Sequence, residues 1–580
     1  MKLWNKKSIK KLKTLLLLSV DDYETSYRYF QYLISELIKC VDQIILIGNH
    51  TIRNEWEENK VVIYYSDEIY DVEKWRRYVI ENWDDIRQVD ELYLMNSSVF
   101  GPVFDLECII HQMREHKSDF WGMTKHNAMY FNKEKICDSF IQRYFMCLRK
   151  SVINSDLLIF FKKLPIISSY EEADKFFEFE FTKYLIKKGY RCDYFCDTKD
   201  LDTEYSVSHI LVNLDKLIKQ KGFPFIPKIL FQIDRKWELE YREGLQNIRI
   251  FQYVKELTNY DLSMILEYLI RTNNVYDNLI NLNLYFEFES KVVNQENIVG
   301  NSSKSLVVAY LFYTEEMEGR LKYLQEAASV SDILIVTDNR KKADILKRKG
   351  KFKKKVIVTS ERGRDWGALL LTCKKYVLNY KYVCFVHDKK SGYLAYTSLG
   401  SSFQDLLWEN MLASKEYIEN LIMFMEKHNQ IGVLLPPIFN MGIYNNFYGN
   451  YWTVCYDRVL DLARKIGIDN TKISHEKPPI SIGSCFWCKV EALMPLWKYN
   501  FQEKDFPEEP MPIDGTINHA LERIIPYVSQ SQDFFSGIVM TKEYGSLYHS
   551  NLEYMIQTIL AKLVKKEKYL GTFSQMLEWL

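Results

Sequence analysis

Short apolar runs alternate with longer amphipathic stretches at the start of the chain. Thr14–Val20 is an apolar run of strand length, and after it Tyr29, Leu33, Leu37 and Ile38 recur at helical spacing. Further runs of strand length lie at Gln43–Gly48, Val61–Tyr65 and Leu92–Met95. This alternation predicts strands interleaved with helices, which is the pattern of an α/β protein.

The second half of the chain repeats the same plan. Its runs of strand length are Leu306–Phe312, Asp332–Thr337, Val356–Thr359 and Tyr382–Val386. In both halves an acidic residue precedes a polar cluster at a strand end. Asp71 lies 25 positions before Asn96, and Asp365 lies 22 positions before His387. The repeat predicts two related, doubly wound α/β domains in tandem, with ligands bound outside the carboxyl ends of the strands.

A chain of 580 residues is too long for one hydrophobic core. We therefore predict a first domain over residues 1–200, a mostly helical connector over 201–300, a second domain over 301–550 and a helical tail over 551–580. The polar, small-residue run Gly300–Lys304 marks the linker before the second domain. In the tail, the apolar residues on one side of the predicted helix are Ile556, Ile559, Leu560 and Leu563.

Charge and hydropathy exclude some classes of function. Lys+Arg and Asp+Glu are both 77, so net charge gives no support for a nucleic-acid partner. No apolar run reaches the roughly 18 residues that a membrane span requires. The segment from Met1 to Lys13 carries six lysines among apolar residues. It is interpreted either as a segment that lies on an anionic membrane surface or as a solvated basic start.

The eleven cysteines are scattered and form no disulfide framework, which favours a reduced, cytoplasmic setting. Cys485 and Cys488 have the spacing of a zinc-binding pair, and Cys192 and Cys196 come near it. Zinc would require two such pairs to meet in space, and no histidine accompanies the first pair. We predict packing cysteines and no metal site there.

Candidate chemistry is concentrated late in the chain. Asp514 and Glu522 lie eight positions apart, near the start and on the body of a predicted helix. About twenty residues earlier, Gly483 opens a small-residue turn that is followed at once by Phe486 and Trp487. An acid–base residue, a loop that permits close approach and an apolar aromatic wall are the parts of a carbohydrate-processing site.

Four motifs together resemble the rhamnan synthesis protein F family, whose members are glycosyltransferases that build rhamnose-rich cell-wall polysaccharides. The motifs are Arg362-Gly-Arg-Asp365, His387-Asp-Lys-Lys-Ser391, Gly483-Ser-Cys-Phe-Trp487 and Asp514-Gly-Thr-Ile-Asn-His-Ala-Leu-Glu-Arg523. The first half adds Phe100-Gly-Pro102, Asp119-Phe-Trp-Gly122 and Gln142-Arg-Tyr-Phe145. The resemblance spans nearly the whole chain.

This resemblance implies GT-A-like domains, a dTDP-L-rhamnose donor and a lipid-linked rhamnan acceptor at the cytoplasmic face of the membrane. The implied reaction is inversion by a single displacement. A carboxylate takes the proton of the acceptor hydroxyl, cations or dipoles stabilise the departing diphosphate, and a pocket holds the thymine.

In the second half, Asp514 is interpreted as the base or as only the N-cap of its helix. Glu522, which is followed by Arg523, is interpreted as part of a structural ion pair, with a role as base as the alternative. Asp365 is expected either to contact the nucleobase or ribose or to cap its helix. Arg362 and Arg364 are expected either to hold phosphate or to be surface arginines without a ligand. Gly483, Phe486 and Trp487 are expected to contact sugar, with a core role for Trp487 as the alternative.

The cluster that begins at His387 occupies the position of the metal-binding Asp-x-Asp motif of GT-A enzymes. Asp388 is its only carboxylate, and Lys389 and Lys390 stand beside it. Two lysines can neutralise a diphosphate without a metal. We therefore predict weak or absent dependence on Mg²⁺ or Mn²⁺, with a metal role for Asp388 left open because the family usually has Thr there.

The first half departs further from the family pattern. Asn96 and the two serines after it replace a cluster with a central aspartate, and Asp67 and Ile69 stand where Asn and Gly are expected before Asp71. Glu178 is the base candidate, with a surface glutamate as the alternative. These departures favour a binding or scaffolding role for this half. The rivals for the whole chain are transfer of another sugar and a non-catalytic glycan-binding scaffold.

Overall fold

The chain forms two compact units. The computed structural model describes residues 12–20, 27–50, 52, 56, 60–131, 134–201, 208–232, 235, 239, 242–291, 305–313, 317–360, 362–388, 397–439, 441 and 449–567. The first unit comprises Met1–Tyr268 with Thr572–Leu580, and the second comprises Leu269–Gly571. The segment predicted as a connector, residues 201–300, is thus divided between the two units and forms no body of its own.

The strands of the first unit are β1 (Thr14–Ser19), β2 (Gln43–Gly48), β3 (Val61–Tyr65), β4 (Glu91–Asn96), β5 (Val99–Phe100), β6 (Phe120–His126), β7 (Met129–Phe131), β8 (Glu134–Cys137), β9 (Phe140–Ile141), β10 (Phe145–Arg149), β11 (Cys192–Cys196) and β12 (Ile226–Pro227). Its main sheet has the order β11-β6-β10-β4-β1-β2-β3, and β9 pairs with β6. Along that order only β10 runs antiparallel to its neighbours.

The strands of the second unit are β13 (Tyr285–Phe288), β14 (Ser305–Tyr310), β15 (Asp332–Thr337), β16 (Lys355–Val358), β17 (Tyr382–His387), β18 (Ile431–Leu435), β19 (Phe486–Lys489) and β20 (Phe535–Thr541). They form one sheet in the order β13-β20-β18-β19-β17-β14-β15-β16. Only β19 is antiparallel to its neighbours. Apart from the added edge strand β13, this is the strand order and direction of the first sheet.

Helices connect the strands. In the first unit the α-helices are Arg28–Cys40, Asp71–Glu81, Trp83–Ile86, Leu106–Glu115, Lys150–Val152, Leu158–Lys163, Tyr170–Glu172, Phe179–Lys187, His209–Val212, Leu214–Lys221 and Gln246–Leu257, with π-helical Ile153–Leu157 and Ala173–Glu178 and 3₁₀-helical Lys228–Phe231. The helix Ser263–Thr272 contains the boundary between the units.

In the second unit the α-helices are Val275–Asn281, Met317–Ala327, Arg340–Arg348, Arg364–Gly367, Lys374–Val377, Thr397–Leu412, Lys415–Lys427, Tyr456–Ile466, Met494–Lys498, Ile517–Gln530 and Lys542–Glu567, with π-helical Ala368–Cys373 and 3₁₀-helical Val490–Leu493 and Glu503–Asp505. The helix predicted for the tail is thus present as far as Glu567. Among the described helices, none combines the length and the apolar character needed to cross a bilayer.

Each unit has its own hydrophobic core against its sheet. Trp75 and Phe177 belong to the core of the first unit, and Trp366 and Phe385 to that of the second. The central strands β1, β14 and β17 are buried along their whole length. Helices that cover both faces of a sheet leave only the strand ends open to ligands, so the polar clusters at those ends are the places to look for function.

Candidate active sites at the strand ends

In the second unit, the structure brings Asp365 and His387 together as the sequence predicts. Asp365 lies in the short helix after β16, His387 ends β17, and the His387 Nε2 and Asp365 Oδ2 atoms are 3.9 Å apart. His387 Nδ1 lies 3.0 Å from the carbonyl oxygen of Asp388, which assigns the ring hydrogen to Nδ1. Among the described residues, the buried Nε2 atom has no hydrogen-bond partner. A group that donates hydrogen bonds to both Nε2 and the carboxylate would fit between them.

Asp365 does not cap its helix. The N-cap residue is Gly363, which has a φ of 83°, and no side chain makes a cap hydrogen bond there. A Cβ atom at Gly363 would lie 2.7 Å from Phe506 Cγ. Asn518 Nδ2 donates to the Gly363 carbonyl oxygen at 2.8 Å. The turn that presents Asp365 is therefore tied to the helix Ile517–Gln530.

Arg362 and Arg364 are paired with the proline-rich loop that precedes this helix. Arg364 makes a bidentate ion pair with Glu509 at 2.7 and 2.8 Å. Arg362 Nε donates to the Phe506 carbonyl oxygen at 3.0 Å, and its NH1 lies 3.3 Å from Glu508. For either arginine to hold a phosphate, these contacts would have to be released or shared.

Asp388 is a buried anchor for the end of β14. Its carboxylate accepts hydrogen bonds from the backbone N–H groups of Phe312 at 2.9 and 2.8 Å and of Tyr313 at 2.7 Å. Lys389 and Lys390 lie outside the described residues. No group of three or more His, Cys, Asp or Glu with metal-holding geometry occurs in the part of the chain that the structure describes. Because amide hydrogens engage both oxygens of Asp388, a divalent cation bound by this carboxylate would have to displace or share these hydrogen bonds.

Asp514 is held by hydrogen-bond donors. Its carboxylate accepts from the Thr453 hydroxyl, from Cys455 Sγ at 3.0 Å and from the Gly515 N–H at 2.8 Å. Burial raises the pKa of Asp514, but the hydrogen bonds from Thr453 and Cys455 and the charge of Arg523 outweigh it and leave that pKa below its ordinary value. Asp514 is not the helix cap, because Thr516 takes that place.

The ion pair predicted between Glu522 and Arg523 does not form. The Arg523 guanidinium donates to the carbonyl oxygens of Tyr451 and His519 and lies 3.9 Å from Asp514. Glu522 projects to a different side of the helix, where the buried Ser484 hydroxyl donates to its Oε1 at 3.3 Å. Ser484 follows Gly483, whose φ of 101° marks the turn before β19.

Phe486 and Trp487 are core residues and not a sugar-binding wall. Both side chains are 0% exposed. Phe486 packs against Trp366 and Phe385, and Trp487 Nε1 donates to the Met411 carbonyl oxygen at 2.9 Å. Neither ring offers a face to a ligand, which corrects the role predicted from sequence. The two cysteines beside them, Cys485 and Cys488, are buried and form no disulfide with any described cysteine.

In the first unit, Arg143 forms ion pairs with two of the residues predicted from the sequence, Asp71 and Glu178. Asn96 Nδ2 donates to Asp71 Oδ2 at 2.7 Å, and Arg143 Nε donates to the same oxygen at 3.1 Å. Arg143 NH1 contacts Glu178 Oε2 at 2.5 Å and also pairs with Asp174. Arg143 was not singled out from the sequence, although it lies in the motif Gln142-Arg-Tyr-Phe145.

Glu178 is buried within this cluster and is not a surface glutamate. Burial raises the pKa of Glu178 to about 7, although Arg143 opposes that shift. The carboxylates in turn raise the pKa of Arg143 against the effect of its own burial, so it stays charged. The cluster is therefore one cation shared by carboxylates, with no described cation in excess.

Two sheets that carry partly buried polar groups at the ends of their parallel strands define an α/β protein of the ligand-binding type. The chain matches the family described as "Rhamnan synthesis protein F" over residues 44–534, and it belongs to that family.

Two curated relatives are proteins named "Uncharacterized protein WxcX" from two strains of Xanthomonas campestris pv. campestris, B100 and ATCC 33913. Each is 24% identical over 228 residues, which is 39% of this chain and 31% of the relative. The match thus spans less than a third of the length of these relatives.

Two solved structures match parts of this chain. HddC of Yersinia pseudotuberculosis, complexed with GMP-PN, is 12% identical with a TM-score of 0.18, over 25% of this chain and 80% of that chain. A putative nucleotide-diphospho-sugar transferase of Desulfovibrio desulfuricans G20 is 11% identical with a TM-score of 0.21, over 37% of this chain and 88% of that chain.

Proposed function

We propose that this chain is an inverting glycosyltransferase of surface-polysaccharide synthesis, which transfers L-rhamnose from dTDP-L-rhamnose to a lipid-linked rhamnan acceptor. The family match over residues 44–534 is the observation that carries the proposal. The shared strand order of the two sheets supports two GT-A-like domains. We assign the protein to the cytoplasmic side of the membrane, in peripheral contact with the surface that holds its acceptor.

The second unit is the proposed catalytic unit. Its strand-end region contains buried polar atoms that find no hydrogen-bond partner within the described part of the chain, among them His387 Nε2 and Asn518 Oδ1. Such orphaned groups are rare in folded proteins, and the atoms of a bound ligand would satisfy them. In this proposal Asp365 and His387 contact the donor nucleotide, with Arg362, Arg364, Lys389 and Lys390 available to its diphosphate. Gly483 gives the acceptor close access.

A second function, non-catalytic glycan binding, is favoured for the first unit by one observation. Arg143 forms ion pairs with both Asp71 and Glu178. A transfer reaction in this unit would need these two carboxylates to contact donor and acceptor. While Arg143 donates to Glu178 Oε2, that oxygen is not available to an acceptor hydroxyl. We assign this unit a scaffolding or acceptor-holding role, with Glu178 as its base only if Arg143 moves away.

The test is sugar transfer by the purified full-length chain. The chain is incubated with a short rhamnoside acceptor and, in parallel, dTDP-L-rhamnose, dTDP-glucose and UDP-linked hexoses. Elongated product from dTDP-L-rhamnose alone supports the full proposal. Product from another donor alone would mean that the chain transfers a different sugar. If no donor gives product, the non-catalytic scaffold function is supported instead.

Removal of divalent cations is expected to leave this transfer intact. Asp388 stands where a metal ligand would be needed, and its carboxylate is used by the amides of Phe312 and Tyr313. The initial rate is measured with excess EDTA and with added Mg²⁺ or Mn²⁺. Loss of the rate in EDTA, restored by either cation, would contradict this prediction.

A further inference from the structure

Glu522 in the second unit and Glu178 in the first occupy the same place in their sheets. Each lies on the helical segment between the antiparallel strand (β19 or β10) and the parallel strand that follows it in sequence (β20 or β11). Glu178 is 14 positions before Cys192, the first residue of β11, and Glu522 is 13 positions before Phe535, the first residue of β20. Asp514 has no such counterpart, because it lies before its helix begins.

The two glutamates also share a partner position. Arg143 lies two positions before Phe145, where β10 begins. The backbone N–H of Arg143 donates to Glu178 Oε1 at 3.2 Å. Ser484 likewise lies two positions before the start of β19, and its hydroxyl donates to Glu522 Oε1 at 3.3 Å. The difference is chemical: the first unit has a cation at this position that pairs with the glutamate, and the second has a neutral hydroxyl.

Glu522 shares a helix face with Asn518, which contacts the turn before Asp365. Residues four apart on a helix share a face, so Asn518 and Glu522 project the same way. Asn518 donates to the carbonyl oxygen of Gly363, which directly precedes the helix that contains Asp365. The carboxylate of Glu522 therefore lies one helical turn from a contact with the proposed donor site.

The available lone pairs distinguish Glu522 from Asp514. Asp514 accepts three hydrogen bonds and lies 3.9 Å from Arg523, and these interactions hold its proton affinity down. Glu522 accepts one hydrogen bond at Oε1, and within the described part of the chain no donor reaches its Oε2. It is also partly exposed, so an acceptor can approach it.

We propose that Glu522 is the general base of the second unit, an inference that rests on the proposed function. Glu522 Oε2 takes the proton of the acceptor hydroxyl while that oxygen forms a bond to the anomeric carbon of the donor sugar. The bond from this carbon to the diphosphate oxygen breaks, and its electron pair leaves with the nucleoside diphosphate. The proton then passes from Glu522 to solvent. Asn518 and Ser484 position the carboxylate, and Asp514 positions Arg523 and the loop.

The experiment compares Glu522→Gln with Asp514→Asn in the full-length chain, with Glu491→Gln as an exposed control. Glutamine keeps the size and the Ser484 hydrogen bond but cannot take a proton. We expect Glu522→Gln to lower kcat by about 10²–10⁴-fold, the usual contribution of a general base. The KM for the donor and the melting temperature should stay near those of the unaltered chain. The remaining activity should lose the low-pH fall in kcat. Glu491→Gln should retain the kcat of the unaltered chain, and Asp514→Asn, which changes a positioning residue, should lower kcat less than Glu522→Gln does.

Each result is decisive. Transfer by the unaltered chain together with near-normal kcat in Glu522→Gln would overturn the assignment of Glu522 and leave the proposed function in place. Loss of kcat in Glu522→Gln together with a lowered melting temperature or an unchanged pH profile would make Glu522 structural and would also overturn it. Absence of transfer by the unaltered chain with every donor tested would overturn the proposed function itself, and the base with it.

Discussion

Replacement of Arg143 by methionine is expected to lower the free energy of unfolding by about 3–5 kcal/mol, the cost of leaving buried charges without their partner. Arg143 is the shared cation of Asp71, Asp174 and Glu178, and its side chain is only 13% exposed. Methionine keeps most of the volume but removes the charge and the hydrogen bonds that the side chain donates to Asp71, Asp174 and Glu178. Urea unfolding followed by circular dichroism measures the loss.

The loss of unfolding free energy caused by Arg143→Met should grow as pH rises. The pKa of Glu178 in the folded chain, about 7, lies above its ordinary value of 4.5, so the folded state retains a proton that the unfolded state has lost between these two pH values. Stability therefore falls as pH rises through this window. Without Arg143 the carboxylates have no cation to stabilise their charged forms, so the variant should lose more stability than the unaltered chain on going from pH 5 to pH 8.

The control is Arg77→Met, at an arginine whose ion pair with Glu81 joins side chains that are 44% and 49% exposed. Exposed pairs contribute little to stability, so this variant should unfold like the unaltered chain. If Arg143→Met and Arg77→Met behaved alike at every pH, the cluster around Arg143 would not hold the first unit together.

Truncation of Trp487 to alanine is expected to cost about 3–5 kcal/mol of stability, as is usual for large aromatic residues in a core. Trp487 lies on β19 between β17 and β18 and is fully buried. The change opens a cavity in the centre of the sheet and leaves the Met411 carbonyl oxygen without its donor. The melting temperature of the full-length chain measures the effect.

Two comparisons make this result specific to the core. Trp487→Phe should lose less stability than the alanine variant because it keeps an aromatic ring in the space. Tyr554→Ala should change stability little, because Tyr554 is 73% exposed. A Trp487→Ala protein that melts normally but binds the donor or acceptor sugar more weakly would restore the stacking role predicted from the sequence.

The strands were the part of the fold that the sequence predicted best. The runs at Gln43–Gly48, Val61–Tyr65 and Asp332–Thr337 have the predicted bounds, and the other predicted strands differ by at most two residues at either end. Central strands of a parallel sheet are covered on both faces and therefore read as continuous apolar runs.

The candidate site was predicted only where local geometry decides it. Asp365 meets His387, and Asp71 meets Asn96, because the parallel strands of a sheet all end at the same edge. The strands themselves are not neighbours, since β14 and β15 lie between β16 and β17, and β1 and β2 lie between β3 and β4. The direction of each side chain on the helix Ile517–Gln530 was not predictable in this way. Asp514 and Glu522 look equivalent in the sequence. In the fold, however, Asp514 lies beside the Arg523 guanidinium, and Glu522 accepts a hydrogen bond from Ser484.

The sequence by itself determined the α/β class, the repeated order of strands and the polar residues at their ends, because periodicity and strand-end polarity are local properties of the chain. Only the tertiary structure decided that Trp487 is a core residue and that Arg143 pairs with Glu178. It also decided that, among the described residues, Glu522 accepts a hydrogen bond at Oε1 alone. Those outcomes depend on residues tens of positions away, such as Met411 and Ser484. Burial and charge pairing are set by which distant segments pack together, and no local pattern records that choice.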